Sequence, residues 1–320
     1  MRPRLGKNVT AAGLTALAAA TAVAAGFAGC GLGPGAVPGG VHLTVTRDFG
    51  AHVLTQTGAP QVKGEETVMG LTERNDKVTT KYGGGFVESI DGSTGGQETG
   101  GDPDDWFYYV NGIEAPKGAA ATNVNEGDHV WWDLHDWSQT DDVPAVVGSY
   151  PEPFLNGTEG KRLPVRVECA AAQSKPCRTV IERLRALGVP AAVAAIGSGA
   201  EPDALQVVVG EWTAVHGDPS VTSIESGPRS SGVYARFASN GQTLTLLDGA
   251  GDTTTTLTAG AGLIAATKDT ESAIVWVVTG TNEAGVQRAA GAFDESTLKN
   301  HFALAVSTTG AQLPVPGASG

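Results

Sequence analysis

The sequence is poor in aromatic residues, in basic residues and in cysteine. Aromatic residues make up 6% of the 320 residues, whereas glycine contributes 45, about twice its usual share of roughly 7%. This composition favours turn-rich sheet structure over a helical bundle. Lysine and arginine number 21 against 34 aspartates and glutamates, for a formal net charge of -13. Because that charge disfavours attraction to phosphates, we expect no nucleic-acid partner.

The sequence also lacks the motifs of common catalytic and metal sites. No serine stands in the strand-turn-helix motif of the hydrolases, and Gly260–Gly262 lacks the Lys-Ser/Thr that follows in a phosphate-binding loop. Asp102, Asp104 and Asp105 lack the alternating oxygen pattern of a calcium loop, so a solvated acidic turn is favoured. We therefore predict no enzymatic activity, no metal site and no resident cofactor.

The N-terminus has the pattern of an export signal. Met1–Lys7 carries three basic residues and no acid, and Val9–Ala25 is an uncharged, alanine-rich run. Phe27–Cys30 resembles the lipobox of bacterial lipoproteins, which predicts a signal peptide over 1–29 and a lipidated Cys30 on the extracytoplasmic face of the cell membrane. The alternatives are a signal peptide cut near Ala25 and an uncleaved membrane anchor.

Cysteine usage agrees with export. Lipidation of Cys30 leaves Cys169 and Cys177, which an oxidising compartment would join in a disulfide. A metal half-site is the alternative, but no second cysteine or histidine pair follows at zinc spacing. The alanine- and glycine-rich composition with only 9 lysines is typical of a GC-rich genome, such as that of an actinobacterium.

Proline and glycine clusters divide the mature chain. We expect two domains, because a chain of this length can bury two cores. The predicted segments after the signal peptide are a Gly/Pro tether (30–40), a sheet domain (41–138), a linker (139–163), an α/β domain (164–310) and a flexible tail (311–320).

Short periodic segments predict a small α+β sheet in the first domain. Val41, Leu43 and Val45 alternate with polar residues, as in a half-buried strand. The aromatic run Trp106–Val110 enters Asn111-Gly112, a dipeptide that favours a tight hairpin turn. A second aromatic run over 129–135 follows the turn pair Gly127-Asp128, and Thr67 can cap a short helix.

These motifs resemble the C-terminal β-domain of transcobalamin and intrinsic factor, and the small bacterial surface domains related to it. The matching segments are Ser89–Gly92, Asp105–Gly112, Gly118-Ala119 and Gly127–Trp132, within about residues 41–137. The resemblance implies a β-grasp fold, ubiquitin-like or of the soluble-ligand-binding type, and makes cobalamin a candidate ligand. The animal carriers clasp the corrinoid between this domain and a large α/α barrel, which this sequence lacks.

The second domain is expected to be mixed α/β, and we recognise no family for it. Apolar runs predict strands over 163–168, 205–210 and 274–280, and helical spacing predicts helices over 178–187 and 282–293. Strands flanking Asn240-Gly241 suggest a further hairpin. Polar loops at Ser230–Gly232 and Thr279-Gly280 could line a cleft at the carboxyl end of the sheet.

Strand alternation places His129, Trp131, Asp133 and His135 on one face. Such a face could hold a metal or a planar ligand, or it could be an aromatic ladder open to solvent. The two histidines would lie roughly 20 Å apart along a straight strand, so one ion cannot bridge them.

The same alternation divides the aromatic residues of the two strands into two sets. Trp106, Tyr108 and Trp132 form one set, and Phe107, Tyr109 and Trp131 form the other, which we expect to be exposed. The candidate ligand-binding residues are therefore Phe107, Tyr109, Trp131 and His135.

Together these features predict a lipid-anchored cell-surface protein whose two domains bind a small molecule for uptake. A corrinoid is the leading candidate ligand, and a membrane transporter is a candidate partner. The alternative is an adhesive or structural envelope module that uses the aromatic face as a protein interface. A hydrolase would need a cleft with paired carboxylates, which the sequence does not indicate.

Overall fold

The computed structural model describes residues 40–58, 60–96, 103–198, 203–268 and 273–318. The predicted signal peptide, Cys30, nearly all of the tether and Asp102 lie outside these residues. Within the described ranges, no helix has the length and apolar character needed to cross a membrane.

The first half of the described chain contains eight strands and one α-helix. In chain order they are β1 (His42–Arg47), β2 (His52–Thr57), α1 (Val68–Asn75), β3 (Val78–Lys81), β4 (Phe86–Ile90), β5 (Ser93–Thr94), β6 (Asp104–Val110), β7 (Ile113–Glu114) and β8 (His129–Asp136).

Five of these strands form the main sheet of the first half, in the order β2-β1-β8-β6-β7. β1 runs parallel to β8, and the other three neighbouring pairs are antiparallel. A parallel pair needs a crossover connection, which α1 supplies while it packs on one face of the sheet. Thr67 caps this helix as predicted, because its side chain accepts a hydrogen bond from the Gly70 amide at 3.2 Å.

The predicted hairpin turn is confirmed. Asn111 and Gly112 both have positive φ angles, 55° and 75°, and they join β6 to β7. A three-stranded sheet of β3, β4 and β5 lies beside the main sheet. These elements agree with the predicted α+β class.

The second half of the described chain contains ten strands and six α-helices. They are β9 (Val165–Cys169), α2 (Lys175–Ala186), β10 (Ala191–Ala195), β11 (Leu205–Glu211), α3 (Trp212–Val215), α4 (Pro219–Thr222), α5 (Pro228–Ser231), β12 (Ala235–Phe237), β13 (Leu244–Leu247), β14 (Thr253–Leu257), β15 (Gly262–Lys268), β16 (Ile274–Gly280), α6 (Glu283–Gly291), α7 (Glu295–Leu298), β17 (Ala303–Val306) and β18 (Gln312–Val315).

Seven of these strands form one mixed sheet, in the order β10-β9-β11-β16-β15-β17-β18. The pairs among the first four strands of this order, from β10 to β16, are parallel. The three pairs from β16 to β18 are antiparallel. The apolar runs of β11 and β16 are buried on both faces, as their continuous hydrophobicity predicts. One face packs against α2 and α6, and the other packs against α3 and the sheet of β12, β13 and β14.

The segment 139–163 connects the two halves, and its residues 143–150 are all buried. Val146 and Val147 are fully buried, and their amides donate hydrogen bonds to the carbonyls of Gly112 and Phe302, at 2.8 Å and 3.0 Å. The predicted linker therefore ties the first sheet to the second.

Two further predictions have definite outcomes. The disulfide between Cys169 and Cys177 is present, and it joins the end of β9 to the first turn of α2. The prediction of a flexible tail is wrong for Gln312–Val315, which pair with β17 as the edge strand β18. Proline is tolerated on an edge strand because no ladder bond is lost there, so Pro314 does not prevent the pairing.

Candidate functional site

The two predicted sets of aromatic residues lie on opposite faces of the first sheet. Tyr108 pairs with Trp132 and Tyr109 pairs with Trp131 across β6 and β8. Tyr108 and Trp132 pack against α1 in one apolar cluster. Tyr109 and Trp131 belong to a different cluster, which extends into the second half.

The prediction that the second set is exposed is wrong. Tyr109 and Trp131 have no exposed surface and His135 is 2% exposed. The Phe302 ring covers Trp131 and Tyr109, with centroids 5.4 Å and 5.6 Å away. Phe107 is half-buried and stacks on His135 at 4.5 Å. The second half covers the face that these residues share. Their ligand-binding role stays a prediction.

Asp133 organises the buried part of this face. Its carboxylate accepts hydrogen bonds from the Phe49 and Gly50 amides at 3.0 Å and 2.8 Å, and from the Thr46 hydroxyl. His135 Nδ1 lies 2.8 Å from the same carboxylate. Because Asp133 and His135 are enclosed and partnered, this pair holds the turn between β1 and β2 in place.

A cleft opens at the opposite end of the same face, beside His129. Its volume is about 590 Å³, and it lies between the first sheet, the connecting segment and the loop after α7. Residues that line it and carry polar side chains include His42, Thr44, Gln56, His129, Ser149, Glu152, Asn156, Lys299 and Asn300.

Two imidazoles stand on one wall of the cleft. The His42 and His129 rings meet edge to face with centroids 6.4 Å apart, and Thr44 Oγ1 lies 3.0 Å from His129 Nε2. Burial lowers the pKa of His129 to about 3, and the charges of His42 and Lys299 add to this effect. At neutral pH His129 is therefore an uncharged imidazole.

Glu152 supplies a carboxyl group to the facing wall. Burial raises the pKa of this side chain to about 7, although hydrogen bonds from Asn156 oppose the shift. The Asn156 amide donates to Glu152 Oε2 at 2.9 Å, and Asn156 Nδ2 also donates to the Gly127 carbonyl at 2.9 Å. Near neutral pH the carboxyl group can therefore donate or accept a hydrogen bond.

The Asn-Gly turn of the sequence motif positions this wall. Asn111 Nδ2 donates to Asp128 Oδ1 at 2.8 Å and to the Gly157 carbonyl at 2.9 Å, while the His129 amide donates to Asn111 Oδ1 at 2.8 Å. The buried Asn111 thus clasps the connecting segment to the strand that carries His129.

Two polar atoms in the cleft have no partner within the protein. Ser149 Oγ and Asn300 Oδ1 are both buried from solvent and make no hydrogen bond. At the rim, Lys299 Nζ donates to Gln56 Oε1 at 3.1 Å. Unpaired buried polar atoms are costly, so a hydrogen bond to either atom would be favourable. Because both atoms are closed to solvent, a ligand in the cleft reaches them only after a small shift of the wall.

Sequence reasoning missed most of this cleft. Among the residues that line the cleft, only His129 lies on the strand face that the sequence pattern indicated. None of the four predicted ligand-binding residues lines the cleft. Over the ranges that the structure describes, no cluster of three or more His, Cys, Asp or Glu side chains could hold a metal ion.

Comparisons with known proteins match part of the first half of the chain to a family. Residues 65–136 match the family described as Domain of unknown function (DUF4430). No curated protein matches the chain. One similar solved structure is described as a "putative metal binding protein" from Ruminococcus gnavus. It is 17% identical over 30% of this chain and 95% of its own, with a TM-score of 0.23.

Proposed function

We propose that this protein binds a small molecule in the cleft beside His129 and is held on the outer face of the cell membrane by a lipid on Cys30. The unpartnered atoms Ser149 Oγ and Asn300 Oδ1 carry the proposal. A cleft of about 590 Å³ is also within the range of small-molecule sites, roughly 300 to 1,000 Å³.

A corrinoid is the first ligand to test. The DUF4430 match over 65–136 overlaps the motifs that resemble the cobalamin carriers. The cleft offers mostly uncharged hydrogen-bonding groups, among them Ser149, Asn300 and neutral His129, which suit the amide side chains of a corrinoid. Its volume suits one edge of such a ligand. Delivery to a membrane transporter would complete an uptake role.

An adhesive envelope module is the second candidate function. The aromatic face cannot serve it, because the second half covers that face. The exposed apolar side chains of the edge strand β2 favour it instead, since Val53 and Leu54 are 50% and 37% exposed.

Calorimetric titration of the purified protein with a corrinoid panel tests the first candidate. Ser149→Ala and Asn300→Gly should each weaken binding by about tenfold, since each removes one hydrogen bond to the ligand. Glycine is chosen because Asn300 has a φ of 61°. The exposed Asn240→Ala serves as the control and should bind like the wild type.

Two results would count against the uptake role. The first is a titration that gives no heat of binding with any corrinoid, while the immobilised protein retains an envelope protein. That result would favour adhesion. The second is equal affinity of the cleft variants and the control.

Membrane fractionation tests the anchor, because Cys30→Ser should release the protein or leave it unprocessed.

A further inference from the structure

A second pocket, of about 260 Å³, lies where β6 becomes an edge strand. The neighbouring strand β7 pairs only with Tyr109 and Val110. Among the strands that the structure describes, the residues of β6 before Tyr109 pair with β8 alone, and the Gly96 amide donates to the Asp104 carbonyl at 2.5 Å. Trp106 and Phe107 point to opposite faces of the sheet, and both reach the pocket at this edge.

Four aromatic residues and two aspartates line this pocket. The aromatic residues are Phe86, Trp106, Phe107 and Trp137, and the aspartates are Asp105 and Asp141. Phe86 comes from the neighbouring small sheet, and Trp137 directly follows β8. Three separate strands thus bring aromatic side chains to one small cavity.

The charge of the pocket is of one sign. Its lining includes no Lys, Arg or His, so Asp105 and Asp141 stand without a cation among the described residues that form the wall. Burial raises the pKa of Asp105, although the Trp137 side chain, a hydrogen-bond neighbour of this carboxyl group, opposes the shift. A cation placed beside this carboxylate would relieve an unfavourable charge.

We propose that this pocket binds a small alkylated ammonium ion, such as a quaternary ammonium group. Aromatic faces attract cations through their negative quadrupole, and rings that surround a quaternary ammonium provide its usual site in proteins. An ion without N–H groups needs no directed hydrogen bonds, and the carboxylate of Asp105 supplies the opposing charge. The net charge of -13 favours the approach of a cation.

Titration of the full-length protein with choline tests the proposal, read by calorimetry and by tryptophan fluorescence. The uncharged tert-butyl analogue of choline, with carbon in place of nitrogen, is the matched ligand. Choline should bind at least about tenfold more tightly than this analogue, because only the cation gains from the rings and the carboxylate.

Variants locate the effect. Asp105→Asn should weaken choline binding by about tenfold and reduce the preference for choline over the analogue. Asp203→Asn removes the same charge from a side chain that is 89% exposed outside the pocket, and it should leave binding unchanged. Trp137→Leu should abolish most of the binding, whereas Trp137→Phe keeps a ring and should retain it. Thermal melts confirm that each variant is folded.

Several outcomes overturn the proposal. They are no binding of choline or tetramethylammonium, equal binding of choline and its analogue, or equal losses in Asp105→Asn and Asp203→Asn. The cleft variant Ser149→Ala should bind choline normally, so failure of the corrinoid proposal leaves this test intact, and the reverse also holds.

Discussion

The two ends of β8 carry similar side chains in very different surroundings. At one end His135 and Asp133 are enclosed, and the Asp133 carboxylate has four hydrogen-bond partners. At the other end His129 borders a cleft in which Ser149 Oγ and Asn300 Oδ1 lack partners. Where the second half covers a histidine and its polar neighbours, they stabilise the fold. Where it leaves them at a cleft, they can bind a ligand.

The sharpest test of the enclosed end is Asp133→Ala. It leaves the Phe49 and Gly50 amides without their acceptor, and it takes from the Thr46 hydroxyl one of its two acceptors. We expect the free energy of unfolding to fall by about 3 to 5 kcal/mol, measured by urea denaturation. Glu65→Ala, at an exposed position, should change it by less than about 0.5 kcal/mol. Equal effects would mean that Asp133 has no structural role.

A smaller effect is expected where the enclosed end meets Trp131. Thr46 Oγ1 accepts from Trp131 Nε1 at 2.7 Å, and its hydroxyl is shared between Asp133 Oδ2 and the Trp132 carbonyl. Thr46→Val keeps the branched shape suited to a strand but removes these bonds, which should cost about 2 kcal/mol. The matched control is Thr255→Val on the exposed strand β14. A double-mutant cycle with Asp133→Ala should give a combined loss below the sum of the two, because the sites share one network.

Local patterns predicted much of the fold but little of the site. Alternation along β6 and β8 gave the correct division of the aromatic residues, because side-chain direction in a strand depends on local geometry. Whether Trp131 is exposed depends on Phe302, which lies in the second half of the chain. Sequence periodicity holds no information about such a distant contact.

The cleft was beyond prediction for a related reason. Glu152 and Asn300 come from irregular segments and Ser149 ends a 3-10 turn, and neither Ser149 nor Asn300 belongs to a recognisable motif. They face His129 only after 139–163 has packed between the two sheets. The disulfide was predictable because three cysteines, one of them expected to carry a lipid, leave a single pair.

The smallest effect concerns pH at the open end of β8. The folded protein holds the pKa of His129 near 3 by burial, against a value of 6.5 for the free side chain. Because the unfolded chain binds the proton first, the contribution of this group is complete above pH 6.5 and is lost as pH falls from 6.5 toward 3.

Urea denaturation at about pH 7.5 and about pH 5.5 measures this contribution. Between these values the unfolded chain gains about 1.4 kcal/mol from protonation of one histidine with the ordinary pKa. His129→Gln removes the titrating group and should therefore lose about 1.4 kcal/mol less than the wild type on acidification. Parallel losses in the two proteins would show that His129 takes up its proton freely in the folded state. The wall of the cleft would then be cationic in mildly acidic solution, and the case for an uncharged ligand there would weaken.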